Sequence, residues 1–395
     1  MRTEFSSRNN SNLKNNKSNK SDFINKNFKG DTIIWTIVSL MFILGILVVY
    51  SSVSSLAYRT ANNNAEHYLF RHSFFVLLSF VTMYITHRIN HKYICAISKI
   101  GLYVSVILLL FVWKFGVMIN EASRWLIIPF IHTSFQPSDF AQLCLLCYIA
   151  NAFRFEDEEM LAERQKSVIV WVVLICGLIA LTNFSRSILL FVSSVMMMFL
   201  GGYSFRKSLK NGILMLVVVC GAAFGFGQRG KTIVSRLKSF NQTELTCQTY
   251  QANIAIANGK LFGKGPGNSM QRDFLPYAYS DYIFPIIIEE YGFVGGIFTL
   301  ILYLIVAFRG MKTLKDDRYT KLSKLLAVGL SFFIVIEAVI NMGVAVGVLP
   351  STGIPLPLIS MGGTSSIFTA ISFGIILNAI TLPQKDFACR KNQFR

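Results

Sequence analysis

Charge is scarce in this chain of 395 residues: 15% of positions are Asp, Glu, Lys or Arg, against 53% hydrophobic. A soluble fold is excluded by that balance, because several runs near twenty residues carry almost no charge and match the length of a bilayer span. The five histidines and seven cysteines are scattered, and no His and Cys spacing resembles a metal cage. The one CxxC, Cys144 and Cys147, falls at helical spacing inside an apolar run and reads as small packing residues. Cys247 stands alone in an outward loop, so no intrachain disulfide is expected there. The chain also lacks a Pro-, Gly- or Ser-rich linker and any soluble stretch of about 50 residues, which leaves one membrane domain.

What is present is a series of apolar runs: Thr32 to Tyr50, Phe70 to Thr86, Ile97 to Val112, Pro137 to Phe153, Val168 to Thr182, Ser187 to Gly202, Ile213 to Gly227, Tyr282 to Phe308, Leu322 to Val346 and Ser365 to Ile380. They predict about ten helices. Only helices and closed barrels satisfy backbone polar groups in lipid, and these runs lack strand alternation, so the expected class is an all-α, polytopic bundle. The net charge of +18 then reports topology rather than nucleic acid binding. Seven Lys/Arg precede the first span, and the loops around Arg88 and Lys92, Arg206 to Lys210, Arg309 to Lys324 and Lys385 to Arg395 are basic. With ten spans these all fall on one side, so both termini are expected in the cytoplasm. Residues 1 to 31, rich in Asn, Ser and Lys, read as a disordered tail, 32 to 382 as the membrane domain and 383 to 395 as a second tail. The long polar leader and span-length first run argue against a cleavable signal peptide.

Three outward segments draw attention. The largest, 228 to 280, carries Arg229, Lys231, Arg236, Lys238, Lys260, Lys264 and Arg272 on the face where basic residues are disfavoured. Residues 121 to 138 combine Arg124, Trp125, His132, Gln136 and Pro137. Residues 341 to 366 are apolar yet broken by Pro350, Pro355, Pro357 and several glycines, so they form no continuous helix. Three irregular loops on one face predict one site. Beside them Asp281, Glu289 and Glu290 stand in or at the edge of a span, where an ionisable group is a functional hypothesis by default. Asp281 is the candidate general base, with Tyr279, Tyr282 and Phe284 limiting its hydration; a helix cap is the structural alternative. Glu289 and Glu290 lie about two turns deeper and are expected to form intramembrane hydrogen bonds or line the cleft, with Glu337 as a partner. Gly263, Gly265 and Gly267 would let backbone amides approach phosphate, or form a simple turn.

These motifs together resemble the SEDS family (shape, elongation, division and sporulation) of FtsW- and RodA-type glycosyltransferases. The resemblance runs through Arg124-Trp125, then Phe135, Gln136, Pro137, Ser138 and Asp139. It continues with Gly265, Gly267, Asn268, Ser269 and Gln271, then Leu275, Pro276, Asp281 to Phe284, Glu289, Glu290 and Gly292. It ends with Asn341 to Gly343, Leu349, Pro350, Gly353, Leu356 to Ser360, Gly362, Gly363 and Ser365. It covers 32 to 382 and lies nearer the division type. Gln142 replaces a usual Lys, Tyr277 a usual Glu and Glu337 a usual Gln, and Asn183 and Ser185 stand in a Pro-Asp-x-Gly-Thr region.

The resemblance implies a peptidoglycan glycosyltransferase that polymerises lipid II at the outer face of the cytoplasmic membrane, at the division septum, and releases undecaprenyl pyrophosphate. A lipid flippase or a noncatalytic division scaffold are the alternatives. The substrate would be contacted by Arg124, Trp125, Gln136, Ser138, Lys264, Gly267, Asn268, Ser269, Gln271 and Arg272. Arg124 is the best candidate to offset the pyrophosphate charge, with a divalent cation, Mg or Mn, as the other source. Asn341, Pro350, Ser360, Gly362, Gly363 and Ser365 would hold the broken loop or line the cleft. The implied partners are a class B penicillin-binding protein that crosslinks the strands, other division proteins and membrane lipids, with no nucleic acid.

Overall fold

Inside a bilayer a backbone polar group has no water to bond, so each apolar run closes its hydrogen bonds on itself. The computed structural model describes residues 30–59, 65–119, 122–128, 133–155, 158–203, 221, 247–275 and 277–381. There the runs become α1 (Thr32–Arg59), α2 (Ala65–Arg88), α3 (His91–Phe115), α4 (Pro137–Ala152), α5 (Glu158–Thr182) and α6 (Phe184–Leu200). A helix in the outward loop, α7 (Cys247–Gly259), is followed by α8 (Ile283–Lys312), α9 (Lys321–Ala345) and α10 (Thr364–Thr381). Among the described residues seven helices are long and apolar enough to cross a membrane. The shorter α4 and α6 coincide with two more expected spans; the expected span 213–227, apart from residue 221, lies outside the described residues. So does the loop segment 228–246 with Arg229, Lys231, Arg236 and Lys238, and so does His132.

α2 packs along α10, α3 along α4 and α8 along α9, while α9 also touches α4, α6 and α10. α4 and α9 are buried over most of their length. By contrast α3 exposes Ile97, Ile100, Ile107 and Leu110, and α8 exposes Phe293, Ile297, Ile301, Leu304 and Phe308. Those apolar stripes recur at three- and four-residue spacing, as a lipid-facing helix surface requires. Cys95, Cys144, Cys147 and Cys176 are buried free thiols, as expected for packing residues.

One end of the bundle gathers both ends of the described chain. Arg309 pairs with Asp31, and Gly30 abuts Thr381 and Leu377. At this same end Asn378 accepts from the His91 amide (2.9 Å) and donates to the His87 carbonyl (2.7 Å). The positive-inside rule makes it the cytoplasmic face.

At the opposite end the structure departs from the expectation of irregular loops. β1 (Val117–Ile119), β2 (Ala122–Ile128) and β3 (Thr133–Phe135) form a three-stranded antiparallel ribbon in the order β1-β2-β3. These strands are too short to span a bilayer and sit where ladder pairing and water can serve the backbone. α7 was likewise unexpected.

α8 is interrupted at Gly292 (φ 75°, ψ −177°). An unbroken helix would pair the Phe293 and Val294 amides with the Glu289 and Glu290 carbonyls. Instead the loop after α7 supplies all four partners: the Lys264 and Gly265 amides donate to the Glu289 and Glu290 carbonyls (2.9 Å each), and the Phe293 and Val294 amides donate to the Lys260 and Leu261 carbonyls (2.9 and 3.2 Å). Only glycine fits at two of these positions. A Cβ on Gly263 would lie 2.1 Å from the Glu290 carbonyl oxygen, and one on Gly292 2.1 Å from that of Leu261.

Candidate active site

The β1 to β2 register slips by one residue, with Val117 opposite Trp125 and Met118 opposite Ser123, so Arg124 is the extra residue of a bulge. A bulge re-aims side chains that strict alternation would send to opposite faces. Arg124 and Trp125 accordingly both line one pocket of about 310 Å³. Its opposite wall is the break between α9 and α10. Asn341 donates to the carbonyls of Asp281 (2.9 Å) and Ile354 (2.7 Å). Ser360 accepts the Leu356 amide (2.8 Å) and donates to the Ser280 carbonyl (2.7 Å), and the Met361 amide donates to the Tyr279 carbonyl (3.0 Å). The Tyr303 hydroxyl donates to the Pro357 carbonyl (2.5 Å). Apolar, broken backbone is thereby satisfied without water.

This network holds Asp281 at the pocket. α8 begins at Ile283 with Tyr282 as its N-terminal cap, whose own side chain makes no capping bond; Asp281 stands one residue before that cap. Its Oδ1 accepts from the Ser280 hydroxyl (3.1 Å). Gly353 (φ 67°) sits between acid and base: a Cβ there would lie 3.4 Å from Asp281 Oδ2 and 3.5 Å from Arg124 Nη1. Tyr279 lines the same pocket, and burial, reinforced by Tyr277 and the Asp281 charge, pushes its phenol up to about 12. It therefore stays protonated near neutrality, a hydrogen-bond donor beside the carboxylate.

The glycine-rich loop has a different task from the one expected. Glu289, fully buried, accepts from Lys264 Nζ (2.8 Å), Ser269 Oγ (2.5 Å) and the amides of Met270 (3.3 Å) and Gln271 (3.2 Å). Glu290 accepts from Ser51 of α1. Arg272 donates to the Ser51 carbonyl (3.2 Å) and hydroxyl (3.1 Å) and to the Gly267 carbonyl (2.8 Å). Asn268 donates to the Lys264 carbonyl (3.0 Å). Lys264, Gly267, Asn268, Ser269, Gln271 and Arg272, expected to contact substrate, thus surround two buried carboxylates, and the amides of Gly263 and Gly265 donate to protein carbonyls rather than to phosphate. The reason is electrostatic: a carboxylate in lipid needs partners, and this loop, with Ser51 of α1, supplies the donors.

Gln136 and Ser138 are also placed away from the pocket. They are buried at the start of α4, bonded to each other (2.8 Å). Glu337 does not meet Glu289 or Glu290. It faces Arg186 (3.8 Å), which pairs with Asp139, and Gln142 donates to Asp139 (3.4 Å). Ser365 borders a small cavity at this cluster; Gly362 and Gly363 border the Asp281 pocket. Pro350 ends the turn after α9.

Sequence reasoning missed four pocket residues on α2: Tyr68, Arg71, His72 and Phe75. Their i, i+3, i+4, i+7 spacing and the Arg-His pair inside an apolar run were the available signal. The pocket's donor set also bears on a metal. Among its described residues Asp281 is the one carboxylate, and it shares the pocket with two arginines; no three His, Cys, Asp or Glu converge elsewhere among the described residues. That set does not fit a divalent cation held by the protein.

The comparisons with known proteins agree with this architecture. The family model described as a cell cycle protein, FtsW/RodA/SpoVE, matches residues 31–384. A probable peptidoglycan glycosyltransferase FtsW of Haemophilus influenzae is 32% identical over 358 residues, covering 87% of this chain and 88% of that one. One from Wigglesworthia glossinidia brevipalpis is 30% identical over 379 residues, 94% and 97% of the two chains. The rod shape determining protein RodA of Thermus thermophilus superposes with a TM-score of 0.63 at 22% identity, over 88% of this chain and 96% of its own. A chain of a peptidoglycan synthase complex, solved for its coordination of polymerization and crosslinking, gives 0.67 at 22% identity over 88% and 97%. The chain is a multi-pass membrane protein and belongs to the FtsW/RodA/SpoVE family of cell cycle proteins.

Proposed function

We propose that this protein is a peptidoglycan glycosyltransferase that polymerises lipid II into glycan strands at the outer face of the cytoplasmic membrane during division. The observation that carries the reading is the pocket where Asp281 and Arg124 meet across Gly353; the relatives named as peptidoglycan glycosyltransferases support the substrate class. In the reaction a sugar hydroxyl of one lipid-linked disaccharide attacks the anomeric carbon of another. A carbon–oxygen bond forms there, the bond to pyrophosphate breaks and the electron pair leaves with undecaprenyl pyrophosphate. Asp281 takes the hydroxyl proton, and Arg124 offsets charge developing on the leaving oxygen. A guanidinium suits that task because its fork of donors matches phosphate oxygens.

A class B penicillin-binding protein that crosslinks the new strands is the proposed partner, and the division septum the proposed location. The kinship with a chain of a peptidoglycan synthase complex supports this pairing. The test is incubation of the purified full chain and its cognate transpeptidase with labelled lipid II in vesicles. Glycan strands should form with release of undecaprenyl pyrophosphate. Lipid II crossing the bilayer with no polymer would overturn the reading in favour of transport.

A further inference from the structure

α2 turns one face toward the Asp281 pocket, and that face is not apolar. At i, i+3, i+4 and i+7 it places Tyr68, Arg71, His72 and Phe75. His72 is 2% exposed, and its Nε2 has no hydrogen-bond partner among the described residues. Arg71, its neighbour in sequence and in the pocket, makes no ion pair there either. By contrast the buried charges Glu289, Glu290, Asp139, Arg186 and Glu337 all have partners. Buried polar groups are nearly always bonded, and a buried exception in a pocket is explained when a ligand supplies the missing atom.

The ligand's chemistry follows from the donors. A guanidinium only donates, and an imidazole donates through Nε2 when that nitrogen carries the proton. Two adjacent donors, one of them cationic, suit phosphate oxygens better than a neutral sugar hydroxyl. The geometry points to an assignment that rests on the proposed glycosyltransferase reading: we propose that His72, with Arg71 beside it, binds the pyrophosphate of the lipid-linked substrate and of the released carrier. His72 is in this assignment a binding residue. Asp281 and Arg124 line the same pocket, so the reacting carbon, attached to that pyrophosphate, would be held within it.

The test is direct binding of undecaprenyl pyrophosphate to the full chain in detergent, with undecaprenol as the probe lacking phosphate. Wild type should prefer the pyrophosphate. His72→Leu should weaken its binding about tenfold, equivalent to about 1.4 kcal/mol, and Arg71→Gln should weaken it comparably, while undecaprenol binding stays unchanged. His72→Asn, which keeps an N–H donor, should recover part of the loss and also serves if the leucine variant folds poorly. Because the imidazole has no protein partner, the unfolding temperature of His72→Leu should equal or exceed that of wild type. Unchanged pyrophosphate affinity in folded His72→Leu and His72→Asn would overturn the assignment. So would an equal loss for undecaprenol, which would make the residue part of a prenyl wall. Polymerisation by Asp281→Asn at the wild-type rate would defeat the catalytic reading and leave this binding result to stand by itself. A dead Asp281→Asn with unchanged affinity in the His72 variants would defeat the His72 assignment alone.

Discussion

A guanidinium sealed between helices costs several kcal/mol in lost hydration unless carboxylates stand against it. Arg186, 2% exposed, meets that condition through Asp139 of α4 and Glu337 of α9. In the sequence Gln142 and Glu337 stand out as departures from a family pattern, and Glu337 as an expected partner of Glu289 and Glu290. The structure shows how they fit together: position 142 offers an amide to Asp139, and the cation that balances two carboxylates is Arg186. Arg186→Met should therefore leave two buried carboxylates facing each other and lower unfolding stability in mixed micelles by about 3–5 kcal/mol. Adding Asp139→Asn and Glu337→Gln should recover most of that, since an uncharged cluster has no such cost. An unfolding midpoint for Arg186→Met equal to wild type would show that the cluster does not act this way.

At the scale of elements, the break in α8 is the feature that shapes the outer face. Gly292 interrupts the helix, and the loop after α7 threads in and pairs with both exposed rungs. Glu289 and its four donors then hold the loop in place. This account separates stability from substrate affinity. Glu289→Ala should cost about 3–5 kcal/mol of stability, because Lys264 and a set of amides lose a buried partner. Lys264→Met should lower stability as well, yet leave lipid II affinity of the folded protein within about twofold, an effect below about 0.5 kcal/mol. A tenfold weaker affinity in Lys264→Met, with stability intact, would return the loop to the role expected from its glycines.

The same scale shows what was legible in the sequence. The spans α1 to α6 and α8 to α10 were readable because lipid leaves apolar runs one economical conformation, while the helices extend past the apolar runs where their ends are amphipathic, as at the starts of Ala65–Arg88 and Glu158–Thr182. The ribbon was not readable: its strands are three, seven and three residues long, and their pairing is a tertiary fact. Nor was the loop's partner, because Lys264 and Glu289 lie 25 positions apart and a Gly-Asn-Ser run reads equally as a phosphate cradle. Asp281 and Arg124 were legible as chemistry, a carboxylate and a guanidinium beside irregular outward segments. His72 carried a signal in its helical spacing from Tyr68 and Phe75 and in the adjacent Arg71, which the apolar surroundings hid.

For the whole molecule, the bundle carries an ion pair between Asp31 and Arg309 at its cytoplasmic end and, at its outer end, a pocket bordered by the ribbon and the α9 to α10 break. Apolar stripes on α3 and α8 face the lipid, and the buried ion pairs tie α4, α6 and α9 together. The central claim is that Asp281 is the base for glycan polymerisation. The direct measurement is the rate of labelled lipid II polymerisation by wild type and Asp281→Asn, at equal folded amount and with the cognate transpeptidase. Loss of a general base costs about two orders of magnitude or more, so the variant should fall at least that far while wild type makes strands. Equal rates in the two proteins would contradict the account.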